Sequence, residues 1–125
     1  MLLDTCALLW LAHDQKQLTD QTLEKIDKAP TLFVSAATGF EIGLKHKAKK
    51  LYLPLPSGEW IKKILAHYLI NVIDLDLEIC IKATELPSIH KDPCDRFIIA
   101  TALIRDFPVV TGDSRFAEYG IKVLS

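Results

Sequence analysis

Met1-Leu2-Leu3-Asp4-Thr5-Cys6-Ala7-Leu8-Leu9-Trp10 opens the chain with one carboxylate set inside an apolar run. An ionised carboxylate among such neighbours loses its water unless it ends a buried strand facing a cleft, is paired, or meets a cation. Met1 to Leu3 reads as a short buried strand, and Ala7 to Ala12 as a short apolar helix just after it. Asp4 therefore stands at a strand's C-terminal end, and the rest of the chain is read for what it brings to meet it.

The same alternation continues outward. Thr19 reads as the N-cap of a second helix, with Leu18 and Leu23 at the staple positions around it and Pro30 as its stop. Thr31 to Val34 is a second strand, and Ser35 caps a helix carrying Phe40, Leu44, Ala48 and Leu51 on one face with Glu41 beside it. A Pro- and Gly-marked loop from Leu53 to Gly58 leads to an amphipathic helix with Trp60, Ile61, Ile64, Leu65 and Tyr68. Asn71 to Ile73 reads as a third strand and Leu77 to Leu86 as a helix stopped by Pro87. Asp92-Pro93 is a helix-start signature that puts Asp95 at the third helical position. Phe107 to Val110 is a fourth strand ending at Thr111-Gly112-Asp113, Ser114 to Tyr119 a short helix, and Ile121 to Leu124 a last strand. Short apolar strands alternating with helices predict an α/β layer structure with a mostly parallel sheet, whose ligands gather beyond the carboxyl ends of the strands.

The totals agree with one folded unit. The chain has 125 residues, half of them hydrophobic and a quarter charged, which suits a filled core and argues against disorder. At this length about two-thirds of the unfolded surface becomes buried, and one domain over 1–125 is expected, with no repeat or linker. A formal net charge of -1 exerts no global pull on nucleic acid, so any such binding falls to a local patch. Lys45, His46, Lys47, Lys49 and Lys50 form the one basic cluster, to be read as a phosphate contact or a solvated helix end. Cys6, Cys80 and Cys94 are odd in number and widely spaced, so neither a disulfide framework nor a zinc site is indicated, and a reducing cytoplasm is expected. No basic leader precedes the first apolar residues, and no run approaches the ~20 apolar residues of a membrane helix.

Asp4 and Asp113 follow strands directly, while Glu41 and Asp95 fall in the first turns of helices. All four are expected at the same sheet edge. Four carboxylates in one cleft repel one another and take up protons unless a divalent cation neutralises them. With no accompanying His or Cys cluster, the oxygen-only set suits Mg²⁺ or Mn²⁺. Phosphodiester hydrolysis is the chemistry such a centre supports.

These residues resemble the PIN-domain ribonucleases, specifically the VapC-like toxins of bacterial toxin–antitoxin pairs. The resemblance spans nearly the whole chain: LLDTCALLWL at the start, SAATGFEIGLKHKAKKL in the middle, HKDPCDRFIIATAL late and VVTGDSRFAEYGIKVL at the end. The order and spacing of the acids make it specific. The pattern's first acid corresponds to Asp4, its second to Glu41, its third to Asp95 before the I-x-A-x-A helix, and its fourth to Asp113 in the T-x-D turn. Cys6 stands where His is common, Thr38 and Phe40 where Ser and Trp are common, and Cys94 where Phe is common. None of these departures removes a carboxylate. The resemblance implies a three-layer α/β domain and a Mg²⁺- or Mn²⁺-dependent endoribonuclease whose catalytic and metal-ligating residues are Asp4, Glu41, Asp95 and Asp113. It also implies an RNA substrate, a homodimer and a cognate antitoxin that blocks the cleft.

Each residue also has a plainer reading. Asp4 suits backbone amides at a strand end, and Glu41 suits an i,i+4 pair with Lys45. Asp92 suits a helix cap, with metal ligation as the alternative, and Asp95 and Asp113 suit helix-terminus roles. Thr5 and Thr111 are candidate supporting hydroxyls. Arg96 is expected either to clamp phosphate or to pair with the acids. Cys6 and Cys94 read as small buried hydrophobes or as an oxidation-sensitive pair. The four His residues are too scattered to predict a dyad or a metal triad. Two other functions fit the pattern less well: a phospho-accepting receiver domain, which needs paired acids on the first strand, and a non-catalytic PIN-like interaction module.

Overall fold

A computed structural model describes residues 1–125. Five strands, β1 (Leu2–Leu3), β2 (Leu32–Ser35), β3 (Ile70–Ile73), β4 (Val109–Val110) and β5 (Val123–Leu124), form one parallel sheet in the order β3-β2-β1-β4-β5. Leu2 pairs with Phe33 and Val109, and Leu3 with Val34 and Val110. Side chains alternate across the sheet, so Leu3, Val34 and Val110 enter one core while Leu2, Phe33 and Val109 enter the other. Helices α1 (Thr5–His13), α2 (Asp20–Lys28), α3 (Ala36–Lys47) and α4 (Ser57–His67) cover the first face through Leu8, Ile26, Ile42 and Trp60. Helices α5 (Leu77–Glu85) and α6 (Pro93–Arg105) cover the second through Ile79, Ala83, Ile98 and Ile99. This is the expected three-layer α/β architecture. With both faces covered, the central strands have no reason to carry a polar residue, which is why they read as unbroken apolar pairs.

Six chain ends are set by the side chains the sequence placed there. Asp4, Thr19, Ser35, Asp76, Asp92 and Asp113 each accept a backbone N–H from the helix or 3₁₀ turn that follows. Asp4 itself caps α1, so that helix starts at Thr5, two residues before the expected start. Pro93 occupies the first turn of α6 behind its Asp92 cap, as expected.

Helix α3 departs from expectation. Phe40 and Leu44 are 66% and 56% exposed, and the helix instead buries Ala37, Thr38 and Ile42. Small residues win the inward face because α3 crosses α1 closely, where Thr38 and Thr5 share a hydroxyl hydrogen bond of 3.1 Å. Because α3 starts at Ala36 behind its Ser35 cap, Glu41 lies in the second turn, not the first.

β1 has β2 on one side and β4 on the other, so the chain leaves β1 in one direction and later returns on the opposite side. A crevice forms at such a reversal, outside the carboxyl ends of the strands. Asp4 and Thr111 stand at its two lips. The receiver reading fails here, because that fold places its strands in the order 2-1-3-4-5, whereas this sheet runs 3-2-1-4-5.

Candidate metal centre

A cleft of about 520 Å³ at this crevice is lined by Asp4, Glu41, Asp95 and Asp113, together with Asp92, Lys45, Thr5, Cys6, Trp10, Gly112 and Ser114. All four predicted acids are thus brought together from separate elements. Asp4 comes from the end of β1, Glu41 from α3, Asp95 from α6 and Asp113 from the turn after β4.

Asp4 is the most deeply buried of the four. Its Oδ1 accepts the Ala7 N–H at 2.7 Å, and its Oδ2 accepts the Thr111 hydroxyl. Thr111 Oγ1 also accepts the Asp113 N–H at 3.0 Å, so one hydroxyl joins the ends of β1 and β4. Thr111 therefore supports two of the acids, while Thr5 bonds only to Thr38. Gly112 lets the turn pass close to Trp10: a Cβ there would lie 2.6 Å from the indole Cη2.

Glu41 combines both of its readings. Oε2 pairs with Lys45 Nζ at 3.1 Å, and Oε1 is buried with no hydrogen-bond partner. An orphaned buried carboxylate oxygen is costly, and a cation in the cleft is what would satisfy it. Asp92 caps α6, accepting the Asp95 N–H at 3.2 Å, and borders the same cleft.

Electrostatics agree with the geometry. Burial pushes the Asp4 carboxyl up to about 6, against the lowering effect of Thr111 and Ala7 and with the charges of Glu41 and Asp113 adding to the rise. Asp95 is pushed up to about 7 by burial first and then by Asp92, Glu41, Asp4 and Asp113. Both acids are held above the ordinary carboxylate range by burial first, with repulsion from the neighbouring carboxylates adding to it. The all-oxygen donors, the orphaned Glu41 Oε1 and this repulsion together fit a hard divalent cation.

Asp113 behaves differently. Arg115 donates to both of its oxygens, from Nε to Oδ1 at 3.0 Å and from Nη2 to Oδ2 at 2.7 Å, and its backbone N–H adds a third bond at 2.9 Å. These bonds hold the Asp113 carboxyl down at about 2. Arg115 went unnoticed in the sequence, although its place two residues after a capping Asp was the available signal.

His90 was missed as well. Its buried ring reaches Asp113 Oδ2 at 2.9 Å, with Asp95 Oδ2 3.0 Å from the same nitrogen. Arg96 corrects another expectation, since it neither faces the cleft nor pairs with an acid. Its guanidinium donates to the carbonyls of Ala83, Leu86, Pro87 and His90 at 2.7–3.1 Å. Of the basic cluster, only Lys45 lines the cleft. Cys6 is exposed and Cys94 half-buried, so neither is the small buried hydrophobe expected; burial, then neighbouring charges, raise the Cys6 thiol and push Cys94 up to about 11.

The fold is that of a known family: a PIN domain model matches residues 1–122, and the chain belongs to the PIN domain family. Ribonuclease VapC22 of Mycobacterium tuberculosis is 27% identical over 120 residues, covering 95% of this chain and 91% of that protein. Among solved structures, VapBC2 from Rickettsia felis bound to a promoter DNA fragment matches with a TM-score of 0.70 at 16% identity, over 100% of this chain and 98% of that one. A toxin–antitoxin complex from Klebsiella pneumoniae matches with a TM-score of 0.68 at 20% identity, over 99% and 95% of the two chains.

Proposed function

We propose that this protein is a metal-dependent endoribonuclease and the toxin of a toxin–antitoxin pair, with Asp4, Glu41, Asp95 and Asp113 as its catalytic and metal-ligating residues. The observation that carries the reading is the orphaned Glu41 Oε1 in a cleft where Asp4 and Asp95 are held above the ordinary carboxylate range. The kinship with VapC22, a ribonuclease by name, supports the choice of RNA, and the toxin–antitoxin neighbours support a cognate antitoxin as partner. Mg²⁺ or Mn²⁺ suits the oxygen donors. Three free cysteines suit a cytoplasmic setting, and no helix is long and apolar enough to cross a membrane. One domain over the whole chain, working as a homodimer, completes the reading.

A divalent cation bound here supplies charge neutralisation, activation of a water and stabilisation of charge on the phosphate. The protein's own part is positional. Asp4, fixed by Ala7 and Thr111, gives a rigid reference oxygen. Glu41 Oε1 is free to orient a ligand in the cleft. Lys45 and Arg115 lie at its edges, where each can turn from its carboxylate to a phosphate oxygen and hold the RNA backbone in register. In the hydrolysis, the oxygen of a water would form a new P–O bond and give up a proton to solvent, while the bond from phosphorus to the leaving ribose oxygen breaks and that oxygen takes up a proton.

The test is cleavage of a fluorescent single-stranded RNA with added Mn²⁺ or Mg²⁺. Wild type is expected to cleave, EDTA to stop it, and Asp4→Asn and Asp95→Asn to lower the rate at least a hundredfold while remaining folded. Full activity in either variant would overturn the assignment.

A further inference from the structure

His90 lies outside the four-acid set and does not line the cleft, yet it is buried directly behind two of the acids and held from several sides. Its backbone N–H donates to Tyr119 Oη at 2.8 Å, and that hydroxyl donates to Pro87 O at 2.7 Å. Its carbonyl accepts from Arg96 at 2.8 Å. The ring meets Phe116 edge-on, with centroids 5.9 Å apart and an interplanar angle of 82°. The Asp92 N–H donates to Nδ1 at 3.2 Å.

This last contact decides the chemistry. A backbone amide can only donate, so Nδ1 must offer its lone pair, and in a neutral imidazole the proton then sits on Nε2. Nε2 is the atom that faces the acids. It lies 2.9 Å from Asp113 Oδ2, to which it donates, and 3.0 Å from Asp95 Oδ2, which sits off the N–H line. A nitrogen carrying a proton has no lone pair for a metal ion. The grouping of His90, Asp95 and Asp113 has the look of a three-ligand metal site, with ligand atoms within 4.8 Å of one another, but its hydrogen bonds assign it another role.

We propose that His90 is a positioning residue: its Nε2–H, oriented by the Asp92 amide, bonds to Asp113 after β4 and so holds Asp113 beside Asp95 on α6, with both carboxylates presented to the cleft, without ligating the cation. Asp95 and Asp113 belong to different elements and repel each other, so a donor between them holds a spacing that their charges oppose. Arg96 and Tyr119 brace the Leu86–His90 segment that carries this donor, which gives Arg96 its purpose. Partners of this kind behind metal ligands are worth about ten- to a hundredfold in metal affinity when removed. The inference rests on the metal-binding reading of the cleft, but its first test does not.

That first test is long-range ¹H–¹⁵N correlation of the imidazole in metal-free wild type, expected to show a protonated Nε2 and a bare Nδ1. The second is electron spin echo spectroscopy of the wild-type Mn²⁺ complex, expected to lack a directly bound ¹⁴N. In calorimetry with Mn²⁺, His90→Ala is expected to bind about ten- to a hundredfold more weakly, and His90→Gln, which keeps an N–H donor, to recover most of that loss. A protonated Nδ1, a ¹⁴N coupling that disappears in His90→Gln, or equal loss in both variants would overturn the proposal. If a variant does not fold, the two wild-type spectra still decide it. Failure of wild type to bind Mn²⁺ would overturn the metal reading, leaving the tautomer to judge the donor role.

Discussion

Asp95→Asn is expected to make the metal-free protein more stable while abolishing its chemistry. The Asp95 carboxyl stands at about 7 in the fold against an ordinary value of 3.8. The native state therefore holds a proton here more tightly than the unfolded chain does. The cost is absent below the unfolded value of 3.8, builds as the pH rises from there to about 7, and is full above it. At pH 8, a gap from 3.8 to about 7 corresponds to about 4 kcal/mol against the fold at 1.36 kcal/mol per pH unit. Asp95 keeps 21% of its side-chain exposure, so solvent and salt screen part of this cost, and the His90 contact offsets more. A net gain of about 2 kcal/mol is the expected result of neutralisation, or a rise in melting temperature of about 6–10 °C for a chain of this size.

The assay is thermal and urea unfolding of wild type and Asp95→Asn in EDTA from pH 8 down to pH 4. The variant's advantage should be largest at pH 8 and shrink steadily toward pH 4. Saturating Mn²⁺ should reverse the order, because only wild type gains the free energy of ligand binding. A variant less stable than wild type at pH 8 in EDTA, or a difference that ignores pH, would refute the electrostatic account of the cleft.

Three further outcomes follow from the same geometry. Gly112→Ala is expected to cost about 1–3 kcal/mol in urea unfolding, because its Cβ would meet the Trp10 ring at 2.6 Å, and wild-type stability would show that Trp10 moves freely. Arg115→Ala is expected to tighten Mn²⁺ binding several-fold in calorimetry while raising the KM for RNA, because the guanidinium engages both oxygens of Asp113; unchanged values for both would remove Arg115 from the site. Mn²⁺ binding near pH 6 is expected to release protons, since Asp4 at about 6 and Asp95 at about 7 are partly protonated there. Titrations in buffers of different ionisation enthalpy measure this, and a heat independent of the buffer would contradict it.

The layers and the four acids were legible because each is written locally. A carboxylate after a pair of apolar residues, a Pro behind an Asp cap, and a T-x-D turn after a valine pair are short-range signals, and the family resemblance supplied their order. The inward face of α3 was not legible. Phe40 and Leu44 make the stronger apolar stripe, but the space left by α1 selects the small residues Ala37 and Thr38, and the sequence of α3 alone cannot express that spacing.

His90 and Arg96 were illegible for a related reason: their partners are backbone groups and residues far along the chain. The expectation for Arg96 assumed that a cation next to an acid serves that acid. On a helix, however, neighbours i and i+1 point about 100° apart, so the side chain after Asp95 had to leave the cleft. It points instead at four carbonyls at the end of α5 and in the loop beyond it, one of which, Pro87 O, also accepts from Tyr119. The same rotation that turns Asp95 toward the cleft thus turns Arg96 toward the loop that delivers His90 back to Asp95. Two adjacent residues serve one cleft from different faces of the helix, one directly and one through the loop.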